Sequence, residues 1–146
     1  MIFEILTEEN INQLTKLSLE LWNDSTYDDE YTNWYSIVYS KTDFCLLAKK
    51  GLDYIGFIHI SIRTDYVEGC ENMPICYLEA LYVNEKYRNR GMAKMLLDNA
   101  ELWTKLKGMT QLASDTELDN ETSKLFHLKA GFNEVNRIVC YVKNIQ

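Results

Sequence analysis

Hydrophobic residues fall three and four positions apart at Ile11, Leu14, Leu17 and Leu21 and end at Trp22, the stripe of a helix with one buried face, predicted over residues 8–22. Ahead of it Met1 to Leu6 alternate as a short strand, and Thr7 followed by Glu8 and Glu9 suits a helix cap with acidic first-turn residues. Asn23 to Glu30 carries four carboxylates and reads as a loop. Tyr31, Trp34, Tyr35 and Val38 then repeat at helical spacing, which predicts a second, shorter helix with an aromatic stripe packed in the core.

Phe44 to Lys49 and Tyr54 to Arg63 are runs of β-formers around Lys50-Gly51-Leu52-Asp53, which is hairpin chemistry. After a loop from Thr64 to Pro74, Ile75 to Val83 predicts a third long strand. Met92 to Lys107 has the clearest helical pattern, with Ala93, Leu96, Leu97, Ala100 and Trp103 on one face and Gly108 beyond its end. Gln111 to Ser114 predicts a short strand, Asn120 to Ala130 a helix closed by Gly131, and Phe132 to Val142 a last strand. With no internal repeat and no linker, the order β, α, α, β, β, β, α, β, α, β predicts one domain over residues 1–146, a mixed α/β sheet with helices on its faces.

Composition narrows the function. Fifteen Lys and Arg against 22 Asp and Glu give a net charge of −7, which repels nucleic acid and favours cationic small molecules. No apolar run is long enough to span a membrane, and the acidic first residues MIFEILTEEN lack the basic start of a signal peptide, so no membrane partner is expected and the cytoplasm is the expected location. Cys45, Cys70, Cys76 and Cys140 form no CxxC pair, and His59 and His127 lie far apart, so no metal site is predicted and the thiols are expected to be reduced.

One loop carries anion-binding chemistry in this acidic chain. Behind the strand Ile75 to Val83, Lys86, Arg88, Arg90 and Lys94 place four positive charges within nine residues at the opening of the long helix, where unpaired first-turn N–H groups converge. Gly91 permits close approach to the backbone. Neither a Walker A loop nor a three-glycine dinucleotide fingerprint is present. On spacing alone the segment is either a diphosphate site or a solvated basic helix start.

Arg88-Asn89-Arg90-Gly91-Met92-Ala93 resembles the Q/R-x-x-G-x-G/A signature of the GCN5-related N-acetyltransferases, and the element order matches that family throughout. The resemblance implies the GNAT fold: an α/β, mostly antiparallel central sheet, helices on both faces and splayed central strands. It implies acetyl-coenzyme A as cosubstrate, held by Leu81, Tyr82 and Val83 on the strand, by Arg88, Asn89, Arg90, Gly91, Met92 and Ala93 in the loop, and by Asn120. It also implies that the Val83 amide polarises the thioester carbonyl. A narrower resemblance, to bacterial aminoglycoside 6'-N-acetyltransferases, rests on Ser61 to Gly69, Tyr77-Leu78-Glu79-Ala80, Ala113-Ser114-Asp115-Thr116 and His127 through Gly131-Phe132. It implies an aminoglycoside acceptor, substrate contacts from Trp22, Tyr66, Glu79 and Asp115, and a homodimer.

The residues themselves can be read beside that resemblance. Asp65, Glu68 and Glu71, and then Asp115, Glu117, Asp119 and Glu121, make acidic sets that are either a soluble surface or a lining for a polycation. Glu79 is the only charged residue in its strand. Burial would raise its pKa and make it a base for an incoming ammonium; the other reading is a buried ion pair with Arg63 or a similar partner. Asp115 would share the task or hold a second ammonium. His127 stands where the superfamily has a tyrosine acid, and is either that acid or a packed helix histidine. Asn136 replaces a carboxylate of relatives, making one acceptor contact neutral or leaving it to Glu134. The expected reaction is direct transfer in a ternary complex; rivals are another acetyltransferase acting on a polyamine or a protein N-terminus, and a non-catalytic sensor.

Overall fold

The structure, a computed structural model, describes all 146 residues. Its elements are β1 (Ile2–Ile5), α1 (Ile11–Leu21), α2 (Tyr27–Val38), β2 (Asp43–Lys50), β3 (Asp53–Arg63), β4 (Ile75–Val83), a single 3-10 turn (Glu85–Tyr87), α3 (Met92–Leu106), β5 (Leu112–Ser114) and α4 (Glu121–Lys129). The strands lie in the order β1-β2-β3-β4-β5, antiparallel except for the parallel pair β4–β5. This is the mixed, mostly antiparallel sheet the sequence predicts.

Alternation along the strands divides the core in two, because successive side chains of a strand point to opposite faces. On one face Leu47, Phe57, Ala80 and Tyr82 pack with Ile11, Leu14 and Leu17 of α1 and Trp34 of α2. On the other, Leu46, Ile58, Ile60, Cys76, Leu78 and Val83 pack with Met92, Leu96, Leu97 and Ala100 of α3, and Phe126 of α4 joins from the margin. The helices therefore cover both faces. Trp34, fully buried, spends its indole N–H on Ser18 Oγ at 3.1 Å, which removes the cost of an unpaired donor in the core.

Three expectations are corrected. The carboxylates of the acidic stretch do not all lie in a loop: Thr26 caps α2 by accepting from the Asp29 N–H, and Asp28, Asp29 and Glu30 form its first turn, where negative charge favours a helix start. Thr7 is not the cap of α1. Asn10 is, and its side chain turns back to accept from the Thr7 N–H at 2.8 Å and to donate to the Ile5 carbonyl at 2.9 Å, closing a tight corner between β1 and α1. Finally, Phe132 to Val142 forms no strand, and regular structure ends at α4. Its β-forming residues find no partner within the chain, and a strand exists only through the ladder it joins.

Candidate active site

β3 and β4 pair residue for residue from Arg63–Ile75 to Ile60–Leu78, after which His59 faces Ala80 and Glu79 is skipped. Glu79 is thus the extra residue of a β-bulge, a feature that leaves one residue out of the ladder and re-aims its side chain. It turns toward Ser61 and Arg63, which share one face of β3. Ser61 Oγ donates to Oε1 at 2.5 Å, Arg63 Nε to the same oxygen at 2.8 Å, and Arg63 Nη2 to Oε2 at 2.8 Å.

The guanidinium rests on the Tyr77 ring, 3.5 Å from its centroid, and the Tyr77 hydroxyl donates to Asp115 Oδ2 at 2.5 Å. Glu79, Arg63, Tyr77 and Asp115 therefore form one continuous contact network joining β3, β4 and the end of β5. Burial alone would lift the Glu79 carboxyl, as the strand pattern suggests, but the hydrogen bonds from Arg63 and Ser61 outweigh it and hold the pKa below the usual carboxylate range. The expectation of a raised pKa is corrected: Glu79 is a firmly ionised anion, and the ion pair with Arg63 exists. Burial and the adjoining Asp115 push the Tyr77 phenol up, so it stays a donor. Deeper on this face, Asp43 bonds His59 Nε2 at 2.6 Å.

The other end of β4 faces open space. β5 pairs only with Cys76 to Leu78, so Glu79 to Val83 have no neighbour on that edge. The Asn84 N–H donates to the Ile55 carbonyl at 2.7 Å. Val83 opposite Gly56 is therefore a pair that exchanges no hydrogen bonds, and its N–H turns away from β3 into the gap. By the same alternation Leu81 faces the gap, whereas the backbone groups of Tyr82 face β3. The Tyr82 phenol bonds Glu20 at 2.7 Å and is pushed up to about 12 by burial and that carboxylate.

Beyond β4 the 3-10 turn and the loop Arg88 to Gly91 lead into α3. Asn89 and Gly91 both have positive φ, 61° and 78°, and a side chain placed on Gly91 would meet nothing within 4 Å. The loop is therefore an open, tightly wound lip over the N–H groups of the first turn of α3. Lys86, Arg88, Arg90 and Lys94 are exposed around it. Arg88 Nε returns to the Val83 carbonyl at 2.8 Å, bracing the lip on the strand, and Lys94 pairs with Asp98 at 2.8 Å.

His127 of α4 lies at the end of β5. Nδ1 faces the Ser123 carbonyl at 2.7 Å, and Nε2 lies 2.7 Å from Ser114 Oγ. A carbonyl only accepts, so Nδ1 carries a proton, while Nε2 accepts from the Ser114 hydroxyl when the ring is neutral and donates to its oxygen when the ring is protonated. Asn120 caps α4 through Ser123 N–H, and its side-chain oxygen is engaged there. Trp22, half-buried at the end of α1, stacks with Trp34 at 6.4 Å. Tyr66 is 73% exposed on the loop before β4. Asn136 is exposed on the C-terminal segment, where its oxygen accepts from the Arg137 N–H. The structure thus joins Glu79 and Asp115 through Arg63 and Tyr77 and leaves Trp22, Tyr66 and Asn136 outside that network.

Ser61, Tyr77 and Ser114 are members of the site that reading residue types did not single out. The period of two in β3 and β4 would have placed Ser61, Arg63 and Tyr77 beside Glu79. Cys76, the thiol nearest the site in sequence, points to the α3 face, with its Sγ 3.4 Å from the Met109 sulfur, and burial raises its pKa. Such a thiol is a poor nucleophile. No group of three metal-ligating side chains occurs, and no helix is long and apolar enough to cross a membrane.

Comparison with known proteins gives consistent matches. The model of the acetyltransferase (GNAT) family matches residues 2–132. An aminoglycoside N(6')-acetyltransferase type 1 of Serratia marcescens is 33% identical over 143 residues, 97% of each chain. Among solved structures, AAC(6')-Iy in complex with the bisubstrate analogue CoA-S-monomethyl-acetylneamine superposes with a TM-score of 0.93 at 30% identity, over 99% of this chain and 98% of that one. The aminoglycoside 6'-N-acetyltransferase AAC(6')-IG from Acinetobacter haemolyticus, without ligand, gives 0.94 at 32% identity over the whole of both chains.

Proposed function

Because the chain belongs to the acetyltransferase (GNAT) family, we propose that residues 1–146 act as one catalytic domain transferring acetyl from acetyl-coenzyme A to the 6'-amino group of aminoglycosides. The observation that carries this reading is an ionised carboxylate, Glu79, linked through Arg63 and Tyr77 to a second carboxylate, Asp115, on the strand that ends at a basic, glycine-containing lip. Anions suit a polycationic acceptor, and the lip suits a diphosphate. Acetylation turns an ammonium into a neutral amide, removing a charge from the antibiotic, and resistance follows from that loss.

The residues fit the donor. The first-turn N–H groups of α3, with Arg90 and Lys86 around the lip, would hold its diphosphate; the space over Gly91 is clear for it, and the open edge at Leu81 and Val83 would pair with its pantetheine amides. When bound, acetyl-coenzyme A supplies an activated acetyl thioester. The Val83 N–H, turned into the gap, donates to the thioester oxygen as negative charge develops there. Glu79 attracts the 6'-ammonium and accepts its proton, directly or through a water, as bonding to the carbonyl carbon makes the nitrogen more acidic. Asp115 and the faces of Trp22 and Tyr66 orient the sugar, with Asn136 a neutral contact. His127 acts through Ser114: once the ring has taken a proton from solvent on Nε2 in addition to that on Nδ1, Nε2 donates to the Ser114 oxygen as that hydroxyl passes its own proton to the departing thiolate, which leaves the ring neutral again. Transfer is direct, since no thiol is placed to take the acetyl group.

A homodimer belongs to the same reading. Val139, Tyr141 and Val142 on the unpaired C-terminal segment are 76%, 89% and 93% exposed, and a second copy is proposed to cover them. The acetyl transfer is tested by mixing the protein with acetyl-coenzyme A and a panel of amines and following thiol release. Release with kanamycin or tobramycin is expected; release with spermidine and none with any 6'-amino aminoglycoside would overturn the acceptor assignment.

A further inference from the structure

Glu79 is the anion on which the proposed acceptor depends, yet its carboxylate already holds a cation. The Arg63 fork takes both oxygens, at 2.8 Å each, and Ser61 takes a second place on Oε1, so one in-plane position on Oε2 remains. Arg63 is also the more exposed partner: its side chain is 42% accessible against 26% for Glu79, and it lies flat on Tyr77. Arg63 is therefore the partner that water solvates more readily once the pair opens. An ammonium bound to Glu79 would lie against a like charge unless the guanidinium moved away.

Resting on the acceptor reading above, we propose that Arg63 is a specificity-determining residue: an internal cation that occupies the place of the acceptor ammonium and must be displaced for the acceptor to bind productively. The exchange favours acceptors that bring further charges. A singly charged amine gains Glu79 at the expense of freeing Arg63 and has little else to bind, whereas a polycation also meets Asp115 and the neighbouring carboxylates. Tyr77 supports both states. Its ring carries the guanidinium and its hydroxyl holds Asp115, so Arg63 can swing outward while the second carboxylate stays fixed.

The test is Arg63→Ala, with Arg63→Lys as the companion that keeps a charge but loses the fork. Steady-state kinetics are run with tobramycin and with methyl 6-amino-6-deoxyglucoside, a singly charged one-ring amine. For Arg63→Ala the acceptor KM falls roughly three- to tenfold with kcat largely kept, and the gain is larger for the singly charged amine. Arg63→Lys lies between this variant and wild type. Free methylguanidinium then inhibits Arg63→Ala competitively against the acceptor, with far less effect on wild type.

An unchanged or raised acceptor KM in both variants, or methylguanidinium that activates Arg63→Ala, would overturn the proposal and make Arg63 a support of Glu79. Should Arg63→Ala fail to fold, the direction of the KM change in Arg63→Lys decides. Failure of the acceptor reading shows separately, as wild type that turns over no aminoglycoside. The variant-to-wild-type ratio and the methylguanidinium pattern are then read with whichever amine wild type accepts.

Discussion

Glu79→Gln separates the two roles open to the carboxylate at the bulge, because they predict losses of different size. Glutamine keeps an acceptor for Ser61 and Arg63 Nε but turns an NH2 group against Arg63 Nη2, donor against donor. Arg63 is 42% exposed, so water takes over much of the broken ion pair, and the expected cost is about 1 kcal/mol of stability. For a chain of this length that lowers the thermal midpoint by roughly 2–4 °C. Loss of a positioned base, by contrast, costs about 10²- to 10⁴-fold in rate, or about 3–5 kcal/mol of barrier. Thiol release under saturating acetyl-coenzyme A measures kcat, and calorimetric titration with coenzyme A is expected to be unchanged, since the lip lies at the far end of β4. A kcat within threefold of wild type, accompanied by that small drop in midpoint, would reduce Glu79 to a structural ion-pair partner and refute the assignment.

Three further outcomes are expected. Gly91→Val forces a β-branched residue to a φ of 78° where its side chain meets nothing; the strain costs about 1–2 kcal/mol, and coenzyme A affinity by calorimetry falls about tenfold or more, whereas retained affinity would show that the lip does not anchor the donor. Asp43 is held below the ordinary carboxylate value mainly by its hydrogen bond with His59, so the stability it contributes is complete above the unfolded value of 3.8 and is lost as pH falls through the lowered folded value; Asp43→Asn flattens this acid limb in urea-midpoint measurements, and parallel curves would refute the linkage. Light scattering gives wild type at twice the 17.2 kDa chain mass and Val139→Lys/Val142→Lys at the single-chain mass; a monomeric wild type would refute the proposed dimer.

The sequence made legible those elements whose own residues determine them. β4 matches its predicted limits, and α3 and β3 differ by a residue at one end, because long periodic segments report a buried face directly. The start of α2 was hidden because Asp28, Asp29 and Glu30 resemble loop residues in composition and become helical only once Thr26 supplies the cap. The C-terminal segment differs for the converse reason: strand propensity is local, but a strand forms only where it pairs, and this segment joins neither open edge of the sheet, at β1 or at β5. At the site, charge identified Glu79 and the basic lip. The state of Glu79 was not legible, because its pKa depends on two side chains from another strand, and Ser61 and Arg63 act on it only after β3 pairs with β4 in this register.

That register links the two halves of the proposed reaction. In an unbroken ladder Tyr77 and Glu79 would share one face and Ala80 and Tyr82 the other, yet Tyr77 contacts Arg63 while Ala80 and Tyr82 join the α1 core. One extra residue reconciles them. Glu79 leaves the ladder, and every residue after it changes face, so Ala80 and Tyr82 reach α1 while Val83 packs toward α3. The same shift sets which amides look into the gap beside β5: with Ala80 opposite His59, Leu81 and Val83 face outward, and without the bulge the outward set would be displaced by one. The bulge thus lets β4 carry the anion for the acceptor without displacing the row of amides for the donor. Deleting Glu79 altogether leaves Ala80 opposite His59 directly after Leu78 opposite Ile60, so the deletion is expected to remove the anion and keep the donor edge. Coenzyme A affinity is expected to hold in both the deletion and Glu79→Gln while turnover falls in both, and affinity lost in the deletion alone would show that the extra residue itself is needed to set the donor edge.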